Sequence, residues 1–335
     1  MEIALDHNGE THTIDQYPVC PHFGYRRHLH VATIGTTDML FKRLDKASGK
    51  VLKSSRPLLI TPQQAYVRPS QGRDWFSTTT TIWQVDEIIK RRVRDWRRLT
   101  DETGHSGARD QSFRADHNSI YTGTHSVFPA PLMEMIIVRY GGSQGSHILD
   151  AFAGGPPRGL VASIMGHSYT GFEIRQEQID ENEALLQRLE LKGVTYVKGD
   201  GCLLRTPQLF DCAITCPPYF NLERYSDQTD DLSNLDSYSE FNARMWLCAQ
   251  AHRERMKPGA FVCIIVGLFR DKNGELVDFP SDTVENFREV GFLYWQNIIL
   301  SKNFASAAVR ASNAWKGQKL VPRHENLLIF KTPEN

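Results

Sequence analysis

The stretch Thr215-Cys216-Pro217-Pro218-Tyr219-Phe220 follows the apolar run Phe210-Asp211-Cys212-Ala213-Ile214, and its residue types bear most directly on chemistry. Two consecutive prolines fix two φ angles and remove two N–H donors, so the chain leaves the predicted strand in a stiff, extended turn. Proline keeps its carbonyl, so the turn still offers backbone acceptors. Tyr219 adds an aromatic face at the carboxyl end of a strand, which is where open α/β sheets bind their ligands. This combination suits a planar base with an exocyclic amine, gripped at its amino group by carbonyls and on its face by the ring. An ordinary surface turn with a packing tyrosine is the alternative on this motif alone. Phe220 reads equally as a second stacking ring or as a core residue.

A second group of residues precedes it. His147-Ile148-Leu149-Asp150-Ala151-Phe152-Ala153-Gly154-Gly155 reads as a buried strand ending in an acid and a small-residue turn, followed by a helix from Arg158 to Met165. Glycines there allow close backbone approach to a ligand and leave helix N-terminal N–H groups free. The next strand, Tyr169 to Ile174, carries Glu173 near its end, at the distance from the glycine turn where dinucleotide folds place a ribose-binding carboxylate. The turn is not G-x-G-x-x-G. Thr195 to Asp200 supplies a third strand ending in Gly199-Asp200.

Taken in order, these motifs resemble those of amino-methylating DNA methyltransferases, which act on adenine N6 or cytosine N4. The likeness is nearest to the phage and prophage type, a group that suggests restriction-modification or phage-encoded DNA modification. It runs from about Ser119 to Lys331 and includes Asp150 to Gly159, Cys216 to Ser226 and Val266-Gly267-Leu268-Phe269-Arg270-Asp271. The resemblance implies S-adenosyl-L-methionine as cofactor. Asp150, Phe152, Ala153, Gly154 and Gly155 would line its methionine and adenosine part, Glu173 would hold the ribose hydroxyls, and Asp200 would meet the adenine amine. Ser126, Val127, Phe128 and Pro129 would close over the methionine end. Cys216, Pro217, Pro218 and Tyr219 would form the catalytic turn. Two positions depart from the family pattern. Cys216 stands where an Asp, Asn or Ser oxygen usually accepts from the target amine; a thiol is a poor acceptor, which leaves the carbonyls of Cys216 and Pro217. Pro156-Pro157 stiffen the cofactor turn, with Pro157 suited to start the helix.

The chemistry implied needs neither metal nor covalent intermediate. Two hydrogen bonds accepted from a conjugated amine localise its lone pair, and in-line placement of the methyl donor supplies much of the rest. In duplex DNA the base must first be flipped out, at a cost of a few kcal/mol. Base–aromatic stacking on Tyr219, worth about 1–3 kcal/mol, would offset that cost.

The elements that position these residues alternate as strand and helix, which predicts an α/β fold: a doubly wound, mainly parallel, seven-stranded Rossmann-like methyltransferase sheet with a late antiparallel pair. Predicted helices span Pro131 to Tyr140, Arg175 to Lys192, Ser239 to Met256 and Ser281 to Val290. The late strands span Ala260 to Gly267, Leu293 to Leu300 and Glu325 to Lys331. The methyltransferase unit is placed at 116–335. Residues 1–115 form an N-terminal extension, a candidate DNA-contact or partner region, with a short strand from Leu29 to Ile34.

The chain has 335 residues, with 39 Lys+Arg against 39 Asp+Glu, so net charge announces no nucleic-acid binder. Its distribution is uneven. Lys90 to Arg98, on a predicted helix from Val85, is strongly basic. Gln296 to His324 contains no acid and carries Trp315 among its cations. Such patches serve either as solvated faces or as phosphate contacts, and Arg91, Arg94, Lys302, Arg310, Lys316 and Lys319 are the candidate DNA ligands, beside Phe220. There is no long apolar run and no basic-then-apolar leader, which argues against membrane insertion and secretion. The six cysteines show no zinc spacing, no metal ligand is assigned, and a cytoplasmic setting is expected. The main alternative is a catalytically silent, nucleic-acid-binding subunit of the same fold, motivated by Cys216. The same fold acting on RNA, or transferring another group, is the other.

Overall fold

Residues alternate between two faces along each central strand, and the two sets bury in different cores. Ile148, Cys212, Ile214, Cys263, Ile265, Leu327 and Ile329 pack on one side with the first three helices. Leu149, Ala213, Val262, Ile264, Val266, Leu328 and Phe330 pack on the other with the last two. A period of two with both faces apolar is the pattern of a sheet covered on both sides.

The computed structural model describes residues 128–222, 224–301, 314–315 and 317–334, with 81–85, Ile88 and four short strands near the start. Those four strands form two antiparallel ladders: β1 (Ile3–Leu5) with β2 (Thr11–Thr13), and β3 (Arg43–Leu44) with β4 (Val51–Leu52). The main body runs β5 (Ile82–Gln84), α1 (Ala130–Tyr140), β6 (His147–Asp150), α2 (Pro157–Ile164), β7 (Ser168–Glu173), α3 (Gln176–Arg188), β8 (Val194–Lys198) and β9 (Phe210–Thr215). It continues through α4 (Tyr238–Arg255), β10 (Met256–Val266), the hairpin β11 (Phe269–Arg270) and β12 (Leu276–Val277), α5 (Phe279–Glu289), β13 (Leu293–Ser301) and β14 (His324–Lys331). Pro157 opens α2, as expected of a proline at a first helical position. Ser237 and Asp278 cap α4 and α5 with their side-chain oxygens.

The sheet has eight strands in the order β5-β13-β14-β10-β9-β6-β7-β8. Only β14 runs antiparallel to its neighbours, so the sheet is mainly parallel and doubly wound. The expectation was seven strands. The eighth is β5, from the region before residue 116, which pairs in parallel with the end of β13 and buries Trp83 completely. The order reverses between β6 and β9, which makes the crevice at their carboxyl ends the topological switch point. Among the described residues, no helix is long and apolar enough to cross a membrane.

Candidate active site

The ladder between β9 and β10 ends at Thr215–Ile264, and the diproline turn begins one residue later. Thr215 Oγ1 donates to Asp150 Oδ1 at 2.8 Å, joining the ends of β6 and β9 across the switch point. Asp150 Oδ1 also accepts from the Phe152 N–H at 3.1 Å. Its other oxygen accepts from Arg158 Nε at 2.5 Å and from the Tyr169 hydroxyl at 2.7 Å. A carboxylate has about four lone-pair sites, and Asp150, which is fully buried, has all of them filled. Asp150, expected to line the methionine part of a cofactor, orders the turn from beneath within this arrangement. Burial opposes the charge of Arg158, but Asp150 outweighs it and raises the pKa of the guanidinium. Burial, then the charge of Asp150, pushes the Tyr169 phenol well above its ordinary value.

The other two acids keep acceptor capacity. Glu173, at the end of β7, takes the Gly154 N–H at 2.9 Å on one oxygen and the Arg175 N–H at 2.9 Å on the other. The Gly154 carbonyl in turn accepts from buried Asn182 at 2.8 Å, so the glycine turn is held from α3 as well. Gly154 sits at φ 51, and a Cβ built there would meet nothing nearer than 3.9 Å, so its surroundings are open. Asp200 accepts the Cys202 N–H at 2.8 Å and forms an ion pair with Arg244 of α4. Behind these acids the elements touch closely. The Ala153 N–H reaches the Phe172 carbonyl at 2.8 Å. A Cβ on Gly171 would lie 2.7 Å from the Ala153 Cβ, and one on Gly201 1.7 Å from the Ala151 carbonyl oxygen. These glycines are there for close approach.

Of the expected lining residues, Ala153 is buried, while Phe152, Gly154, Gly155, Cys216 and Pro218 are half-buried and Pro217 is buried. Phe128 lies over the Arg158 guanidinium, 4.8 Å from its ring centroid, and so joins the same cluster. Tyr219 is half-buried, edge-on to Phe279 at 6.2 Å, with Gly267 making room for its ring: a Cβ there would stand 3.1 Å from Tyr219 Cε2. Its hydroxyl lies beside Glu325 without meeting full hydrogen-bond geometry. Burial, then the charge of Glu325, raises its pKa well above the usual phenol value.

Phe220 belongs to the core. It is 6% exposed and packs against Tyr238, Phe241 and Phe269 at 5.7, 5.6 and 6.3 Å. Its expected role as a second base-stacking ring is corrected on that ground. It holds φ at 54, a left-handed conformation that costs a bulky residue about 1 kcal/mol or more. Burial of the ring offsets that cost and fixes the exit of the turn. Of the candidate DNA ligands, Lys319 is half-buried with its ammonium beside Gly274 of the β11–β12 turn, and Trp315 is 81% exposed. Arg91, Arg94, Lys302, Arg310 and Lys316 lie outside the described residues, as do Ser126, Val127 and the 29–34 strand.

Sequence reasoning assigned no role to Arg158, Tyr169, Thr215, Asn182 or Arg244. A signal existed for Arg158, a lone cation in the otherwise apolar and small run from Ala151 to Met165. For Tyr169, Asn182 and Arg244 there was none, since their partners lie 19 to 44 positions away.

No family model and no curated protein matches this chain. Among solved structures, TrmN from Thermus thermophilus is similar with a TM-score of 0.43 at 11% identity, over 63% of this chain and 50% of that one, so the chain spans half the length of that protein. The [4+2]-cyclase SpnF gives 0.44 at 18% identity, over 62% and 82%. Precorrin-6y C5,15-methyltransferase from Geobacter metallireducens gives 0.42 at 10%, over 65% and 96%. The likeness is one of fold.

Proposed function

We propose that the chain is an S-adenosylmethionine-dependent methyltransferase acting on an exocyclic base amine in DNA, adenine N6 or cytosine N4. The observation that carries this reading is the Asp150–Thr215 bond of 2.8 Å. It ties the strand before the glycine turn to the strand before the diproline turn, so the segments expected to hold donor and base open from neighbouring strand ends. Residues suited to the donor stand there. Glu173 retains lone pairs for two ribose hydroxyls, Asp200 retains them for an adenine amine, and the Gly154 turn leaves space beside its backbone. When bound, the donor supplies an electrophilic methyl on a sulfonium.

The chain's own residues do the remainder. Carbonyls of the Cys216-Pro217 segment accept from the target amine and aim its lone pair, an effect worth more in a water-excluded site. Pro217 and Pro218 have no N–H to compete for those carbonyls and hold the turn rigid. Tyr219 stacks on the flipped base, while Phe128 and Phe152 exclude water from the donor side. Residues 1–115 and the basic segment before β14 are the proposed DNA contacts.

Transfer of a labelled methyl group into duplex DNA, followed by mass spectrometry of the digested nucleosides, tests this reading. N6-methyladenine or N4-methylcytosine is expected. Protein that binds donor and grips DNA without any incorporation would be a silent subunit, and label found only in RNA would move the substrate.

A further inference from the structure

Arg158 is the one lysine or arginine that is buried among the described residues, at 5% exposure. It stands in the first turn of α2, where the helix dipole disfavours a cation. Its guanidinium binds the carbonyls of both Phe152 and Ala153, the second at 2.9 Å, while Phe128 covers it and Nε meets Asp150. A positive charge thus lies directly under the turn proposed to hold a donor that is itself a cation. Asp150 already takes four hydrogen bonds from the protein itself. Its remaining electrostatic effect on that site is to cancel Arg158.

Resting on the donor-binding reading above, we infer that Asp150 and Arg158 form a charge-neutral strut beneath the donor site. Arg158 shapes the turn by holding its two carbonyls inward, and Asp150 removes the repulsion that a lone guanidinium would exert on a sulfonium. The strut therefore sets how the site ranks a sulfonium ligand against its neutral thioether counterpart. Both residues act through the turn and are positioning residues.

Calorimetry with S-adenosylmethionine and S-adenosylhomocysteine isolates this effect, because the two ligands differ by one methyl and one positive charge. In Asp150→Asn the strut carries a net positive charge, and affinity for the sulfonium falls about tenfold or more beyond any loss for the thioether. In the double variant Asp150→Asn/Arg158→Met, the strut is neutral again and the ratio of the two affinities returns to within about threefold of the wild-type ratio. A buried ion stripped of its partner destabilises a fold. If Asp150→Asn does not fold, Arg158→Met reads the same charge from the other side: it leaves the Asp150 carboxylate unopposed beneath the site, and its preference for the sulfonium over the thioether rises about tenfold or more above the wild-type ratio. Equal weakening of both ligands in Asp150→Asn, or a preference in Arg158→Met unchanged from the wild type, overturns the strut and leaves donor binding standing. Wild-type protein that binds neither ligand overturns the donor reading itself.

Discussion

The two acids at the ends of β6 and β7 differ in what they have left to give. Asp150 takes four hydrogen bonds within the protein, whereas Glu173 takes two backbone N–H groups, with Arg175 Nε 3.5 Å from one oxygen. Glu173→Ala is accordingly expected to weaken S-adenosylmethionine binding by about tenfold or more, since hydrogen bonds to a charged group are worth about 1.5–3 kcal/mol each. Calorimetry decides it, and unchanged affinity would mean that β7 is not the ribose strand. At the turn proposed to hold the target base, Tyr219→Ala should cut methyl transfer by about tenfold or more while donor affinity stays within about twofold, because what is lost is base stacking. Parallel losses in both would misplace the ring. Tyr219→Phe separates ring from hydroxyl. The hydroxyl is buried and short of full hydrogen-bond geometry, so its removal should leave stability within about 1 kcal/mol in chemical denaturation. A larger loss would show that Glu325 holds it. Phe220→Ala, by contrast, empties an aromatic core site and should cost about 3–5 kcal/mol with or without DNA present.

At the scale of elements, the strand-to-helix loops differ in how much room they leave. Gly199 has open space where a Cβ would go, while two positions on Gly201 rests on the Ala151 carbonyl. Gly199→Ala should be close to neutral. Gly201→Ala must push the loop after β8 away from β6, carrying Asp200 with it, and should lower both the melting temperature and donor affinity; equal behaviour of the two variants would refute the close approach. The strands themselves were legible because each carries apolar residues on alternating faces, as Cys212-Ala213-Ile214 does, and the turns because proline and glycine limit the backbone locally. The partners of Asp150 were not legible, because Arg158, Tyr169 and Thr215 lie up to 65 positions away. Phe220 was undecided because one aromatic after a turn fits a core or a crevice equally until the packing of Tyr238 and Phe241 is known. The eighth strand went unread because Ile82–Gln84 is too short for a periodic signal and is fixed by its register with β13.

At the larger scale, the two ends of the sheet differ: the carboxyl ends of β6 and β9 form the crevice, and the opposite end anchors the strands. Opposite the crevice, the starts of β6, β9 and β10 are pinned together: the His147 N–H donates to Asp211 Oδ2 at 2.8 Å, and Lys257 Nζ meets Asp211 Oδ1 at 2.6 Å. The His147 ring shares a hydrogen bond of 2.8 Å with Thr170 and lies edge-on to Phe210 at 4.9 Å. Burial lowers the pKa of His147, and the attraction of Asp211 only partly counters it. Burial works against the charge of Asp211 too, but the His147 N–H and Lys257 outweigh it and hold the carboxyl below its ordinary value. Both shifts have the same consequence. The unfolded chain binds more protons than the fold, so stability rises with pH over each window. The His147 contribution is complete above about pH 6.5 and is lost as pH falls from there through the depressed value; that of Asp211 goes at lower pH, as the carboxylate is protonated. His252 acts in the opposite sense, because Cys248 overcomes burial and raises its pKa, so its contribution fades as pH rises. Replacing the His147 ring should therefore isolate its share. His147→Gln keeps the backbone N–H to Asp211 and is expected to flatten the stability slope between about pH 5 and 6.5 while leaving the steeper loss below about pH 4 in place. Urea denaturation across that range measures it. An unaltered slope would move the acid sensitivity of the fold away from the strand starts.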